Sequence, residues 1–514
     1  MCWNQAGRYF ISTKLKLSST ISLLFILACP VLAQVEQLSR YELVLSDQDE
    51  LNDFKVASLE DDGLFIYRKI EIGNEDRLHI IKVDTSLNES WQGYISIAKN
   101  LSISHIRLHN KVVYTLFKAS NFITGNFQLL ASSVDNGSYQ IYNIENFIPF
   151  NPTEFIVTEK GAMLGGYFNY RPLVLFFDFT TKRARVLPGF FNEPGELNQI
   201  KQNKDGTVDV VVSSKNYERK KSLWIRNYSA GGELIKTTVL EPEDNKHLIF
   251  GRSAKMPNNE QVVAGVYGGR DINYSRGIFV AEINAAGEYK TTYYNFGDLQ
   301  NFFSYMKVNR ERRTKERIER RKIKGKKTRF SYRFMVHEVV PYGNQYVMLG
   351  EAFYPRYTYS SSRSGGFGYY GNPMARNDRV FDGYQYTHAV IIGFDSDGKL
   401  VWDNSFEIND VKTFELQQFV KIAPDRDRIT LLYLHNNLIR SKTIQGNKVL
   451  EGKTADPMKT RFDFDIVKER DTEKSALDYW YPNHFFASGI QVVRNQERES
   501  SYRKVFFINK LKYQ

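Results

Sequence analysis

Short strands run through most of this chain, tight hairpin turns recur about every 45–55 residues, and the last repeat stops one strand short. Together these observations predict an all-β fold, a β-propeller of eight blades, with seven the alternative count. Length and composition agree with one large domain. The chain has 514 residues, 42% of them apolar and 14% aromatic, too rich in Phe and Tyr for wholesale disorder.

The strand reading rests on segments such as 64–70, 111–117, 208–212, 261–266 and 389–394, each rich in Val, Ile, Phe and Tyr and bounded by turn residues. Asp135-Asn136-Gly137, Ala230-Gly231-Gly232, Ala286-Gly287, Asp397-Gly398 and Gln445-Gly446-Asn447 supply the turns, because a tight hairpin needs positive φ at its tip. Equivalent turns fall near positions 86, 136, 181, 231, 286, 397 and 446. One gap of 111 residues is twice the others, and it contains two inserts, at 298–330 and 355–385. Without them it is one ordinary blade.

Two units are legible strand by strand: 197–201, 207–213, 222–227 and 233–240, then 248–256, 260–267, 277–283 and 288–294. The eighth starts near Asp478 and includes 485–494 and 503–511, leaving one strand missing. Residues 38–45 can supply it, which would close the ring and cover an exposed sheet edge.

The first 33 residues read as a secretory signal peptide. Lys14 and Lys16 precede an apolar run from 21 to 28, and Val31-Leu32-Ala33 places small-type residues at a cleavage point before Gln34. The propeller domain is then 34–514. An alternative is lipidation at Cys29, since Ile26-Leu27-Ala28-Cys29 loosely fits a bacterial lipoprotein site. Both cysteines, Cys2 and Cys29, lie in this leader, so cleavage after Ala33 leaves an exported chain without disulfides, held by its core alone. The expected location is periplasmic, outer-membrane-associated or secreted, and the expected state is a monomer.

Residues 389–406 (Ala-Val-Ile-Ile-Gly-Phe-Asp-Ser-Asp-Gly-Lys-Leu-Val-Trp-Asp-Asn-Ser-Phe) resemble the outer hairpin of WD40 or quinoprotein blades. The defining motifs of those families are missing: there is no recurring Gly-His…Trp-Asp signature, no Trp-docking repeat and no Asp-box. The resemblance implies the propeller architecture only, and no family residue carries across.

Charge is concentrated rather than spread. The chain carries +12, yet residues 307–329 alone hold 13 Lys/Arg against Glu311, Glu316 and Glu319, a net of +10. Pairs spaced i,i+4, such as Glu311/Lys315 and Glu316/Arg320, predict a salt-bridged helix over 306–322. Its few apolar positions make no continuous stripe, so it is no membrane-inserting helix. Solubility alone would account for such a protrusion. The functional reading is contact with a polyanion or an acidic protein, through Arg312, Arg313, Arg317, Arg320, Arg321, Lys326 and Lys327.

The Tyr/Ser/Gly-rich loop 355–385 offers Tyr357, Tyr359, Tyr369 and Tyr370 with Arg363 and Arg376, a composition that antibody paratopes also use. A partnerless surface loop is its bland counterpart. The basic insert joins the outer strand of one blade to the inner strand of the next, and the Tyr loop joins the second and third strands of that next blade. Both links emerge on one propeller face, which suggests a composite site for an unknown protein or anionic polymer of the cell envelope.

Other features carry less. Asp395-Ser396-Asp397-Gly398 matches half a calcium loop but lacks the late bidentate Glu, so it reads as a hairpin turn. His105 and His109 share a strand roughly 13 Å apart. Residues 478–486 read as core and ring closure, with a sugar-stacking platform the alternative. No catalytic residue, metal site or cofactor is expected. The function predicted is a non-catalytic binding or scaffold protein. The alternative is a carbohydrate-active enzyme, glycosidase or lyase, with its site in the central channel.

Overall fold

The computed structural model describes residues 35–46, 54–120, 126–146, 148–190, 194–256, 260–360, 378–468, 475–495 and 502–513. The expected leader and Cys29 lie outside them. Eight antiparallel sheets follow one another along the chain. Blades 1–7 span residues 55–97, 101–144, 151–186, 195–240, 247–295, 333–413 and 421–457, and blade 8 combines residues 465–513 with the N-terminal strand Val35–Val44. The count is eight, not seven.

The repeat is written in turn chemistry. The turn between third and fourth strands holds a positive-φ residue in each of blades 1–7: Leu87, Gly137, Lys182, Gly232, Gly287, Gly398 and Gly446. Strand alternation then gives each sheet two apolar faces. In blade 6, Tyr346 and Met348 face the core shared with blade 5, while Val347 and Leu349 face the core shared with blade 7. One such buried cluster occupies each of the eight seams around the ring.

Closure follows the predicted route. Val35–Val44 pairs antiparallel with Arg503–Tyr513, from Val35 opposite Tyr513 to Val44 opposite Val505. Arg40 locks this strand: its guanidinium donates to Glu42 at 2.6 Å, to Gln491 at 2.8 Å and to Asn509 at 2.9 Å, and lies over the Phe507 ring. Trp480 is fully buried, and its indole N–H donates to the Gly63 carbonyl at 2.9 Å, tying blade 8 to blade 1. Residues 478–486 therefore serve ring closure, as expected.

Two details differ from the sequence reading. Blade 8 has two short inner strands, Asp465–Val467 and Ala476–Tyr481, both paired to His484–Asn495, so it starts earlier than Asp478. Segment 355–385 is not a loop throughout. The strands Gln345–Ser360 and Asp378–Asp395 run past the blade as one long hairpin, with Tyr357 opposite Phe381, because alternating Tyr and Phe satisfy cross-strand pairing. Among the described residues, no helix is long and apolar enough to cross a membrane.

Candidate anion-binding face

Successive strands run antiparallel. The link from an outer strand to the next inner strand, and the link between second and third strands, therefore leave from the same end of the sheet. The basic insert joins Tyr289–Asn295 of blade 5 to Arg333–Tyr342 of blade 6, and the long hairpin joins strands two and three of blade 6. Lys412–Thr413, in the link to blade 7, pairs with Tyr384 and Gln385 of that hairpin, which places both link types on one face.

The root of the insert is anchored. Phe296, Phe302 and Phe303 are buried in the seam between blades 5 and 6. The Asp403 carboxylate accepts the backbone N–H groups of Gln300 at 2.8 Å and Asn301 at 2.7 Å. Tyr305 stacks on His388 with ring centroids 3.6 Å apart, and Phe302, Tyr332 and Phe334 surround the imidazole. Burial pushes the His388 pKa down to about 3, so the ring is neutral at physiological pH.

From this root rises the helix Val308–Ile323. Glu311 lies in its first turn and Arg320, Arg321 and Lys322 in its last, each matching the helix dipole. Lys315 pairs with Glu311 at 2.7 Å and Arg312 with Glu316 at 3.8 Å. The half-buried stripe Glu311, Thr314, Lys315 and Ile318 faces the blade, so the helix is docked rather than free.

The chain returns along residues 324–332 and is stapled to blade 5 by paired backbone hydrogen bonds between Ser275 and Tyr332. Between the helix and this return lies a cleft of about 520 Å³ lined by Arg317, Arg321, Lys326, Lys327, Thr328 and Arg329. Among the described residues it is lined by five cations and no carboxylate. Arg321 donates to the Lys327 carbonyl at 3.3 Å, and Arg317 lies over the Phe330 ring, so both guanidinium groups are held in place.

Lys327 and Arg329 also border a second hollow of about 500 Å³, to which blade 5 and its links contribute Lys246, Arg270 and Arg276. Asp244 also lines this hollow and pairs with Lys246 at 2.8 Å, so the cations that extend the cleft into one track are Arg270 and Arg276. Arg270 and Arg276 flank the turn between the second and third strands of blade 5, a link type that belongs to this face. Sequence reading missed them because they stand apart from the charge run. Their signal was their position in the equivalent link of the preceding repeat.

Of the predicted site residues, Arg317, Arg321, Lys326 and Lys327 meet in the cleft. Arg312, Arg313 and Arg320 lie exposed on the helix. Tyr357 is exposed and sits edge-on to Phe381, which also meets Tyr384 and the exposed Phe414. The side chain of Tyr359 and all of Arg363, Tyr369, Tyr370 and Arg376 lie outside the described residues. No hydrogen bond, ion pair or ring contact joins the helix to the hairpin among the described residues. The aromatic cluster is a neighbour on the face, separate from the cationic track.

The inner strands place different chemistry at the ring centre. Lys201 of blade 4 meets Glu338 of blade 6 at 2.5 Å. Burial raises the Glu154 carboxyl pKa, while Arg252 and Arg107 draw it down. Among the described residues, no group of three or more His, Cys, Asp or Glu side chains could hold a metal ion.

The chain matches no protein-family profile and no curated protein. Similar solved structures include a prolyl endopeptidase, 10% identical with a TM-score of 0.41, over 87% of this chain and 55% of that one. The polysaccharide lyase Uly1 is 8% identical with a TM-score of 0.41, over 93% of this chain and 100% of its own. The dihydro-heme d1 dehydrogenase NirN is 12% identical with a TM-score of 0.41, over 92% and 79%.

Proposed function

We propose that this propeller is an exported, non-catalytic binding or scaffold protein of the bacterial envelope, whose cationic track contacts a polyanion or an acidic protein. The observation that carries this reading is the cleft lined, among the described residues, by five cations and no carboxylate, and continued by Arg270 and Arg276. Like charges held together repel one another, an arrangement stabilised when an anion spans them. The aromatic cluster around Phe381 offers contact area beside it.

Short duplex DNA and dextran sulfate serve as probes, titrated over a range of salt. Five cations engaging DNA phosphates would give a slope of log K against log salt of roughly −4 to −5. Arg317→Glu with Arg321→Glu should flatten that slope and weaken binding to both probes. Affinity that is flat with salt, or unchanged in the double variant, would remove the cleft from the reading.

A second reading, a carbohydrate-active enzyme working in the channel, draws on Glu154, the inner-strand carboxyl whose pKa burial raises. It predicts hydrolysis or elimination of a polysaccharide that is lost in Glu154→Gln.

A further inference from the structure

A different kind of hollow opens on the same face, at the seam between blades 3 and 4. It measures about 300 Å³ and is walled by Pro172, Phe190, Val212, Tyr217, Trp224 and Arg226, among others. Phe190 comes from the link leading into blade 4, and Tyr217 from the link between the second and third strands of that blade. Both link types belong to the face that carries the cationic track. The hollow is independent of that track, being mostly apolar where the track is mostly charged.

Arg226 gives the hollow its chemistry. Its guanidinium lies over two rings, 5.0 Å from the Phe190 centroid and 5.4 Å from that of Trp224. Gly189 makes room for it: φ there is +93°, and a Cβ would come within 2.7 Å of Arg226 Nε. Arg226 has no carboxylate or hydrogen-bond partner among the described residues, and burial lowers its pKa from the usual value. The wall's own carboxylate, Glu241, accepts through Oε2 from Asn216 and from Ser222, each at 2.6 Å, and makes no ion pair with Arg226 among the described residues. Trp224 Nε1 is enclosed in the wall and meets no acceptor among the described residues. A cation without an anion and a donor without an acceptor, set among aromatic rings, describe the complement of one ligand class.

We infer that this hollow binds a small carboxylate carrying a single ring, the ring against Phe190, Tyr217 and Trp224 and the carboxylate on Arg226. Size supports one ring rather than a fused system, because about 300 Å³ is the lower end of the range for ligand pockets. Arg226 supplies a planar fork that a carboxylate can meet with two hydrogen bonds. The ring can be aromatic, or the hydroxylated ring of a uronic acid, which also presents an apolar C–H face.

The test uses 4-fluorobenzoate as probe, followed by fluorine NMR on the intact chain. Beside it run 4-fluorobenzyl alcohol, which keeps the ring and drops the charge, and glucuronate as competitor. The expected result is saturable binding with a Kd below about 1 mM, weakened at least about tenfold for the alcohol and in Arg226→Gln. Arg226→Lys keeps the cation without the fork and should fall between wild type and Arg226→Gln, so the inference stays testable if the glutamine variant folds poorly. Trp224→Phe should weaken the probe and leave the salt dependence of DNA binding untouched. Displacement by glucuronate assigns the hydroxylated ring, and its failure assigns the aromatic one. Equal affinity for acid and alcohol, unchanged affinity in both Arg226 variants, or no saturation up to about 10 mM overturns the inference.

Discussion

Replacing Arg40 with alanine tests how the ring is closed. The Arg40 side chain is 7% exposed and that of Glu42 is 2% exposed, so the pair sits out of water. Alanine removes the bonds to Glu42, Gln491, Asn509 and the Lys459 carbonyl together. It leaves Glu42 buried, with Arg503 at 3.8 Å as its remaining ion-pair partner among the described residues. Removing one partner of a buried ion pair costs up to about 3–5 kcal/mol, because the other charge loses its nearest counter-charge. That corresponds to a roughly 10²- to 10⁴-fold shift in the ratio of folded to unfolded molecules. Urea denaturation measures the loss, and hydrogen exchange locates it, with faster exchange expected first in Val35–Val44 and its partner Arg503–Tyr513. Arg40→Met with Glu42→Leu removes both charges and should recover part of the stability. A loss below about 1 kcal/mol in Arg40→Ala would refute the reasoning, since a buried pair cannot be broken that cheaply.

Stability should fall in mild acid. An unfolded histidine takes up its proton near pH 6.5, whereas folded His388 stays neutral to about pH 3 and His105 to about pH 4. The unfolded chain therefore binds more protons between those values, and each histidine contributes a loss of up to about 1.4 kcal/mol per pH unit as pH drops below 6.5. His388→Phe should make denaturation midpoints less steep in pH between 6.5 and 4, and an unchanged slope would contradict a neutral buried imidazole. Asp403→Ala should loosen the insert, because Gln300 and Asn301 lose the acceptor of their backbone N–H groups, at about 1.5–3 kcal/mol for each bond to a charged group. Trypsin should then cut within residues 307–329 faster than in the parent chain, with the rest of the ring intact.

Several parts of this architecture were legible in the chain. The seven outer hairpin turns could be located because a tight turn restricts its tip residues directly, and those tips hold positive φ in the structure. Closure by the N-terminal strand was legible because the last repeat was one strand short. The helix over 306–322 appeared as Val308–Ile323, since i,i+4 pairing is local. The long hairpin was harder to see. Its Tyr, Ser and Gly content resembles a loop, and only pairing of Tyr357 with Phe381 makes those stretches strands. The split inner edge of blade 8 escaped for a related reason, because a three-residue strand such as Asp465–Val467 has no pattern of its own.

The candidate site divides the same way. The sequence by itself determined the repeat and which link carries the basic run, because turn chemistry, alternation and charge density are properties of neighbouring residues, while the structure settled eight blades against seven. Only the tertiary structure decided which cations share a cleft, that Arg270 and Arg276 continue it, and that Arg226 lies between Phe190 and Trp224 without an anionic partner among the described residues. Those groups come from different links and neighbouring blades. Packing of blade against blade sets the distances between them, and spacing along the chain does not encode that packing.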